Sequence, residues 1–301
     1  MIEMEFKKMH AGNEVIAYRE CGEGQRTLLL IHGNMSSSLH FDHLMSVLAN
    51  DFKIYAPDLR GFGHSSYHDR FDDLSELSAD IEYFADKLRL KDIEVLGWST
   101  GGGIAMIFAA NNPELVKRVI LMESVGIKGY PMYKKDASGC TIPSEPLMTK
   151  DEIETDVVQV TPVLEALRKG NGLFYKGLWN AAIYTGGRKP ASDDYDRYVG
   201  EMLLQRNLVD IDYALTRFNI SCEGNEYGEG NGLVKRIKCP VDIIQGENDL
   251  VVPKEMAHGI HEALETPKKL HVLKHCGHNP MVDQLSKVRE IVLNSWENHD
   301  L

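Results

Sequence analysis

Gly97-Trp98-Ser99-Thr100-Gly101 lies between an apolar run at 93–96, which reads as a buried strand, and a small-residue apolar run at 102–110, which reads as a helix. That placement leaves the chain little choice of fold. A Gly-x-Ser-x-Gly segment joining strand to helix is a nucleophile elbow, a turn so sharp that side chains at the flanking glycines would strike neighbouring backbone. The turn strains the serine and lifts its Oγ clear of the sheet. The helix N-terminus beside it offers free N–H groups and positive partial charge.

The rest of the chain supplies that sheet. Segments 14–20 and 27–31 read as strands, the second almost continuously apolar, as a strand covered on both faces must be. A helical stretch at 39–49, a strand at 52–56 and a helix at 72–90 follow. In that helix Leu74, Leu77, Ile81, Phe84 and Leu88 share one face. After the elbow comes a strand at 119–122. This alternation predicts a mostly parallel, doubly wound α/β sheet.

From 124 to 238 the alternation stops. Helical windows at 151–167, 173–184, 193–205 and 210–218 are separated by turn residues, and 223–232 is an acidic, Gly-rich loop expected to be mobile. The rhythm resumes after Cys239-Pro240, with strands at 241–245 and 270–273 and helices at 254–264 and 283–296. Two strands cannot make an independent sheet. The expected organisation is therefore a core domain of 1–123 and 239–301 carrying an inserted helical cap at 124–238, in preference to two sequential domains.

A net charge of −12 argues against a nucleic-acid partner or an anionic membrane surface. No apolar run approaches the length of a membrane span, and no secretory signal is visible. The five cysteines (Cys21, Cys140, Cys222, Cys239 and Cys276) form no CxxC pair, so they read as reduced packing residues in a cytoplasmic protein. No cluster has the spacing of a zinc site, so neither a metal nor another cofactor is expected.

A serine nucleophile needs a base to take its proton and an acid to orient that base. In a doubly wound sheet both should sit at strand C-terminal ends. The strand at 241–245 runs into Gly246-Glu247-Asn248-Asp249, and Asp249 is the favoured acid, with Glu247 a near rival and Glu123 a distant one. The strand at 270–273 runs into His275-Cys276-Gly277-His278. His278, after a glycine that lets the chain turn inward, is favoured over His275. His258 and His261 read as helix-surface residues and His299 as part of the tail. The oxyanion needs two backbone N–H donors, assigned to Thr100 and to Asn34 in the loop after the strand at 27–31. His32 reads as a structural imidazole holding that loop. Trp98, Trp179, Tyr184 and Phe174 are candidate substrate contacts, with cap packing as the competing role.

Taken together, His32-Gly33-Asn34, Asp58-x-Arg60-Gly61-x-Gly63-x-Ser65, Gly97-x-Ser99-x-Gly101-Gly102, Gly246-x-x-Asp249-x-x-x-Pro253 and Gly277-His278 resemble the α/β-hydrolase superfamily, in family order along nearly the whole core. The resemblance implies a Ser99–His278–Asp249 set with Asn34 and Thr100 at the oxyanion. It also sets aside the dehalogenase and epoxide-hydrolase routes, which place Asp where Ser99 stands. The runs Gly97-Trp98-Ser99-Thr100-Gly101-Gly102-Gly103, 123–131 and 178–185 are similar to the Bacillus-type intracellular poly(3-hydroxybutyrate) depolymerases. That similarity implies a storage polyester or its oligomers as substrate, and association with polymer granules. Thr100, where a Met is expected, and the loop at 223–232 depart from the pattern. The competing expectations are a short-chain carboxylesterase, a lactonase or a perhydrolase, and, outside enzymes, a ligand-binding receptor on a hydrolase scaffold.

Overall fold

The computed structural model describes residues 4–294, so the expected end of the last helix at Trp296 and the tail residue His299 lie outside the described residues. Strands β1 (Glu5–Ala11), β2 (Glu14–Cys21), β3 (Arg26–Ile31), β4 (Phe52–Pro57), β5 (Ile93–Trp98) and β6 (Val116–Met122) form the first part of one sheet. Strands β9 (Val241–Gly246) and β10 (Lys268–Leu273) complete it, in the order β1-β2-β4-β3-β5-β6-β9-β10. All neighbouring pairs from β4 to β10 are parallel, while β1–β2 and β2–β4 are antiparallel.

Residues alternate between the sheet's two faces with the period of a strand. In β3, Leu29 and Ile31 join one buried cluster while Leu28 and Leu30 join the other. The first cluster is covered by α2 (Leu74–Lys87), α3 (Thr100–Asn111) and α9 (Lys254–Ala263), the second by α1 (Asp42–Leu48) and α11 (Leu285–Leu293). A short helix, α10 (Pro280–Asp283), precedes α11. Helix α2 begins with a capping box in which Asp73 and Glu76 satisfy each other's backbone N–H groups. Helix α3 is apolar on nearly every side, as befits a helix pressed between the sheet and other elements.

Between β6 and β9 the chain leaves the sheet. It forms a hairpin of β7 (Tyr133–Lys135) and β8 (Thr141–Pro146) and then helices α4 (Lys150–Glu154), α5 (Thr161–Lys169), α6 (Gly172–Ala182), α7 (Ser192–Met202) and α8 (Leu208–Arg217). The single window expected at 151–167 is two helices. Asp156 Oδ1 accepts from the Val158 and Gln159 N–H groups, turning the chain before Pro162 opens α5. The excursion has no separate core: Val125, Ile127, Ile211, Leu215, Phe218, Ile220 and Val234 belong to the first sheet-face cluster. The loop expected to be mobile is tied down, with Tyr227 Oη donating to Met132 O at 2.7 Å and Asn225 Nδ2 donating to Lys128 O at 3.0 Å.

All five cysteines are free, but only Cys21, Cys239 and Cys276 are buried; Cys140 and Cys222 are exposed and do not pack. Among the described residues no helix is long and apolar enough to cross a membrane.

Candidate active site

Ser99 caps the N-terminus of α3 with φ 56° and ψ −121°, outside the ordinary helix and strand regions. Three close approaches hold it there. A Cβ on Gly97 would lie 2.3 Å from Gly101 O, one on Gly101 2.1 Å from Ile31 O, and one on Gly102 2.1 Å from Ser124 Oγ. Only glycines let β3, β5 and α3 converge this tightly.

Two loops beyond the excursion reach Ser99. His278 Nε2 lies 3.0 Å from Ser99 Oγ, and His278 Nδ1 lies 2.7 Å from Asp249 Oδ2. Asp249 Oδ1 accepts from the N–H groups of Val251 (2.7 Å) and Val252 (3.0 Å), so both carboxyl oxygens are held. The His278 loop is anchored by Trp98 Nε1, which donates to His278 O at 2.8 Å, and by His278 N donating to Ile183 O at 3.1 Å. Burial alone would raise the Asp249 carboxyl. Attraction to His278, with hydrogen bonds from His278, Glu123 and Val252 N, outweighs it and holds the group below the usual carboxylate range.

Glu123 lies behind Asp249, fully buried and at φ 46°. Its Oε1 accepts from Gly246 N at 2.7 Å, while its buried Oε2 finds no donor. Burial, then the hydrogen bond and charge of Asp249, raise its carboxyl well above the ordinary value. The other rivals stand apart, with Glu247 and His275 both exposed. His32 is buried, its Nε2 accepting from Leu59 N at 3.0 Å and its Nδ1 lying 2.8 Å from Gly33 O. The first contact fixes Nδ1 as the protonated nitrogen.

Gly33 brings the loop after β3 against the elbow; a Cβ there would lie 2.8 Å from Ser99 Cβ. The next residue is Asn34. Thr100 is the first residue of α3, so its N–H has no intrahelical acceptor. Asn34 Oδ1 accepts from Met35 N (2.8 Å) and Gln205 Nε2 (2.8 Å), which turns its Nδ2 toward Asp212 Oδ1 at 3.0 Å.

Ser99, Thr100 and Asn34 open on a cavity of about 170 Å³, whose other walls include Tyr130, Asp212 and Val251. Trp98, Trp179, Tyr184 and Phe174 do not line it. Trp98, Trp179 and Tyr184 are buried, with Trp179 meeting Trp98 edge-on and Tyr184 at a tilt, and Phe174 packs against the same cluster. Their large apolar faces are used inside the protein. Sequence spacing gave no signal for Tyr130, Met132, Asp212 or Leu215, because they come from the excursion, where no strand end marks a position. A wider groove of about 710 Å³, lined by Lys128, Glu226 and Met256, holds none of Ser99, Asp249 and His278.

Residues 26–285 match the family described as the alpha/beta hydrolase fold. The chain belongs to the α/β-hydrolase fold family. It is 26% identical over 284 residues to the human serine hydrolase BPHL, covering 91% of this chain and 81% of that one. It is 27% identical over 261 residues to an uncharacterized hydrolase, YugF, of Bacillus subtilis, covering 85% and 84%. Among solved structures, an esterase from Exiguobacterium antarcticum superposes with a TM-score of 0.72 over 96% of this chain and 98% of its own, at 20% identity. At that identity the likeness speaks for the fold. The protein is thus a hydrolase of the α/β superfamily.

Proposed function

We propose that this hydrolase cleaves carboxylic esters through an acyl-enzyme on Ser99. The observation that carries the reading is the position of His278, 3.0 Å from Ser99 Oγ on one side and 2.7 Å from Asp249 on the other. His278 Nε2 takes the Ser99 proton as Oγ attacks the ester carbonyl, and Asp249 holds the imidazole by Nδ1. The N–H groups of Asn34 and Thr100 receive the oxyanion. Collapse breaks the ester bond, and His278 returns its proton to the leaving alcohol. A water then gives its proton to His278 and attacks the acyl carbon, releasing the acid and restoring Ser99. Residues 124–238 act as a cap, since Tyr130, Met132, Asp212 and Leu215 roof the cavity above Ser99.

A cavity of about 170 Å³ is below the ~300–1,000 Å³ of pockets for drug-sized ligands, so the acyl group is short. That suits 3-hydroxybutyrate units from a polyester or its oligomers, as the Bacillus-type depolymerase resemblance implies, in association with granules. It equally suits a short-chain carboxylesterase, in keeping with the esterase neighbour. Free and exposed Cys140 and Cys222 favour a reducing, cytoplasmic setting. Two measurements test the reading. A serine-directed phosphonate should label the protein stoichiometrically, and Ser99→Ala should abolish labelling and ester turnover. Amorphous polymer, soluble oligomers and butyrate esters should then be compared by acid release. Ester turnover with no release from polymer or oligomer removes the depolymerase reading and leaves the carboxylesterase.

A further inference from the structure

Asp212, on α8, lines the cavity of Ser99, yet the hydrolytic step has no use for it. Its Oδ1 accepts from Asn34 Nδ2 at 3.0 Å, the one side-chain hydrogen bond found for it among the described residues. Much of the rest of the cavity wall is apolar, with Val125, Met132, Leu215 and Val251, and Gln159 in the same wall has its Oε1 turned to Lys135 Nζ at 3.2 Å. The Tyr130 hydroxyl is not available to Asp212, because it donates to Val251 O at 2.8 Å. An acyl chain of carbon and hydrogen alone would drive water off this carboxyl and put nothing in its place. An unpaired acceptor of that kind is expensive. Its bond to Asn34 places it beside the residue assigned to the oxyanion, in the cavity that Ser99 lines.

We propose that Asp212 is a specificity residue that accepts a hydrogen bond from a donor group, hydroxyl or ammonium, near the start of the substrate's acyl chain. This rests on the serine-esterase reading and narrows it. For a polyester it has a directional consequence. Only the terminal unit bearing a free hydroxyl offers a donor on its acyl side, so Asp212 favours cleavage from the hydroxyl end. Burial pushes the Asp212 carboxyl up to about 7 against the hydrogen bond from Asn34, and the Asp156 charge adds to the rise. Such a group accepts from a neutral hydroxyl in either protonation state and from an ammonium chiefly when ionised.

The test compares kcat/KM for 4-nitrophenyl butyrate, 3-hydroxybutyrate and 3-aminobutyrate with wild type, Asp212→Asn and Asp212→Leu. Wild type should favour at least one donor-bearing ester over butyrate by about tenfold or more. With Asp212→Leu that ratio should fall to about one. Asp212→Asn, which keeps an acceptor oxygen and loses the charge, should retain most of a hydroxyl preference and lose an ammonium preference. Phosphonate labelling of Ser99 and a thermal melt confirm that each variant is folded. Butyrate turned over as fast as both donor-bearing esters by wild type, or all three esters losing equally in Asp212→Leu, overturns the role of Asp212 while leaving the esterase intact. No turnover of any ester, with Ser99 unlabelled, overturns both.

Discussion

Asp249 orients His278 while sharing a buried pocket with a second carboxyl, and the two cannot both be charged at such range. Glu123, Asp249 and His278 each place an oxygen or nitrogen within 4.8 Å of the others'. Asp249, held by His278 and by the N–H groups of Val251 and Val252, is kept below the usual carboxylate range. Glu123, raised by burial and by Asp249, is therefore the one expected to hold the proton, which would let its otherwise unpartnered Oε2 donate to Asp249. Because its folded value is raised, its contribution to stability is complete below the unfolded carboxyl range and is lost as pH rises through the folded value. Glu123→Gln keeps a donor and cannot ionise. The melting temperature of Glu123→Gln minus that of wild type should thus climb as pH rises above the ordinary carboxyl range. A difference that stays flat would mean that Glu123 is already ionised. Activity separates the two loop histidines more simply. His278→Ala should lower kcat by roughly 10⁴-fold or more, whereas exposed His275→Ala should stay within about twofold of wild type, as surface changes usually do. Equal losses in ester turnover would overturn the assignment of His278 as the base.

The elements around Ser99 were legible because each carries a local signature. β3 and β5 are apolar over most of their length, and the glycines on either side of Ser99 mark a turn that other residues cannot make. Strand β1 carried no such signature. It is a charged edge strand with Phe6 exposed at 45%, and its inner face, Lys7, Met9 and Ala11, is only partly buried and mixes charge with apolar residues, so the period is faint. The β7–β8 hairpin has the same difficulty, since it projects with mostly exposed side chains and its turn is made by Asp136 bonding to Ser138 and Cys140. Gly101 gives the sharpest test at this scale. In Gly101→Ala the new Cβ would press on the backbone oxygens of Ile31 (2.1 Å) and His32 (2.6 Å), neither of which can swing away. It should cost about 3 kcal/mol and displace the loop bearing Asn34, lowering kcat as well as stability. Gly200→Ala, on the exposed side of α7 with nothing within 4 Å, should instead stabilise by roughly 0.5–1 kcal/mol. Chemical denaturation of both variants checks the opposite signs.

Across the whole molecule, the joining of both segments in one sheet was legible because β9 and β10 needed partners from the first half of the chain. The roof of the cavity was not, since its residues are brought together only by tertiary packing. How strongly the two halves are joined depends on Arg118 in β6, which is almost wholly buried. Its guanidinium donates to Asp242 Oδ2 on β9 at 2.6 and 2.9 Å and to Glu94 on β5 at 3.3 Å. It also donates to Ile291 O and Val292 O on α11 at 2.7 and 2.9 Å. One side chain thus ties together segments from both sides of the excursion. Removing one partner of a buried pair costs ~3–5 kcal/mol. The loss here should be lower, about 2–4 kcal/mol by the same reasoning, because Glu94 keeps Arg26 and Asp242 keeps His271. Arg118→Met should therefore lower the melting temperature by several degrees. If one sheet spans both segments, the variant must still unfold in a single step, with near-ultraviolet and far-ultraviolet signals coinciding. Two separated transitions would instead make residues 239–294 an independent unit and defeat the inserted-cap organisation.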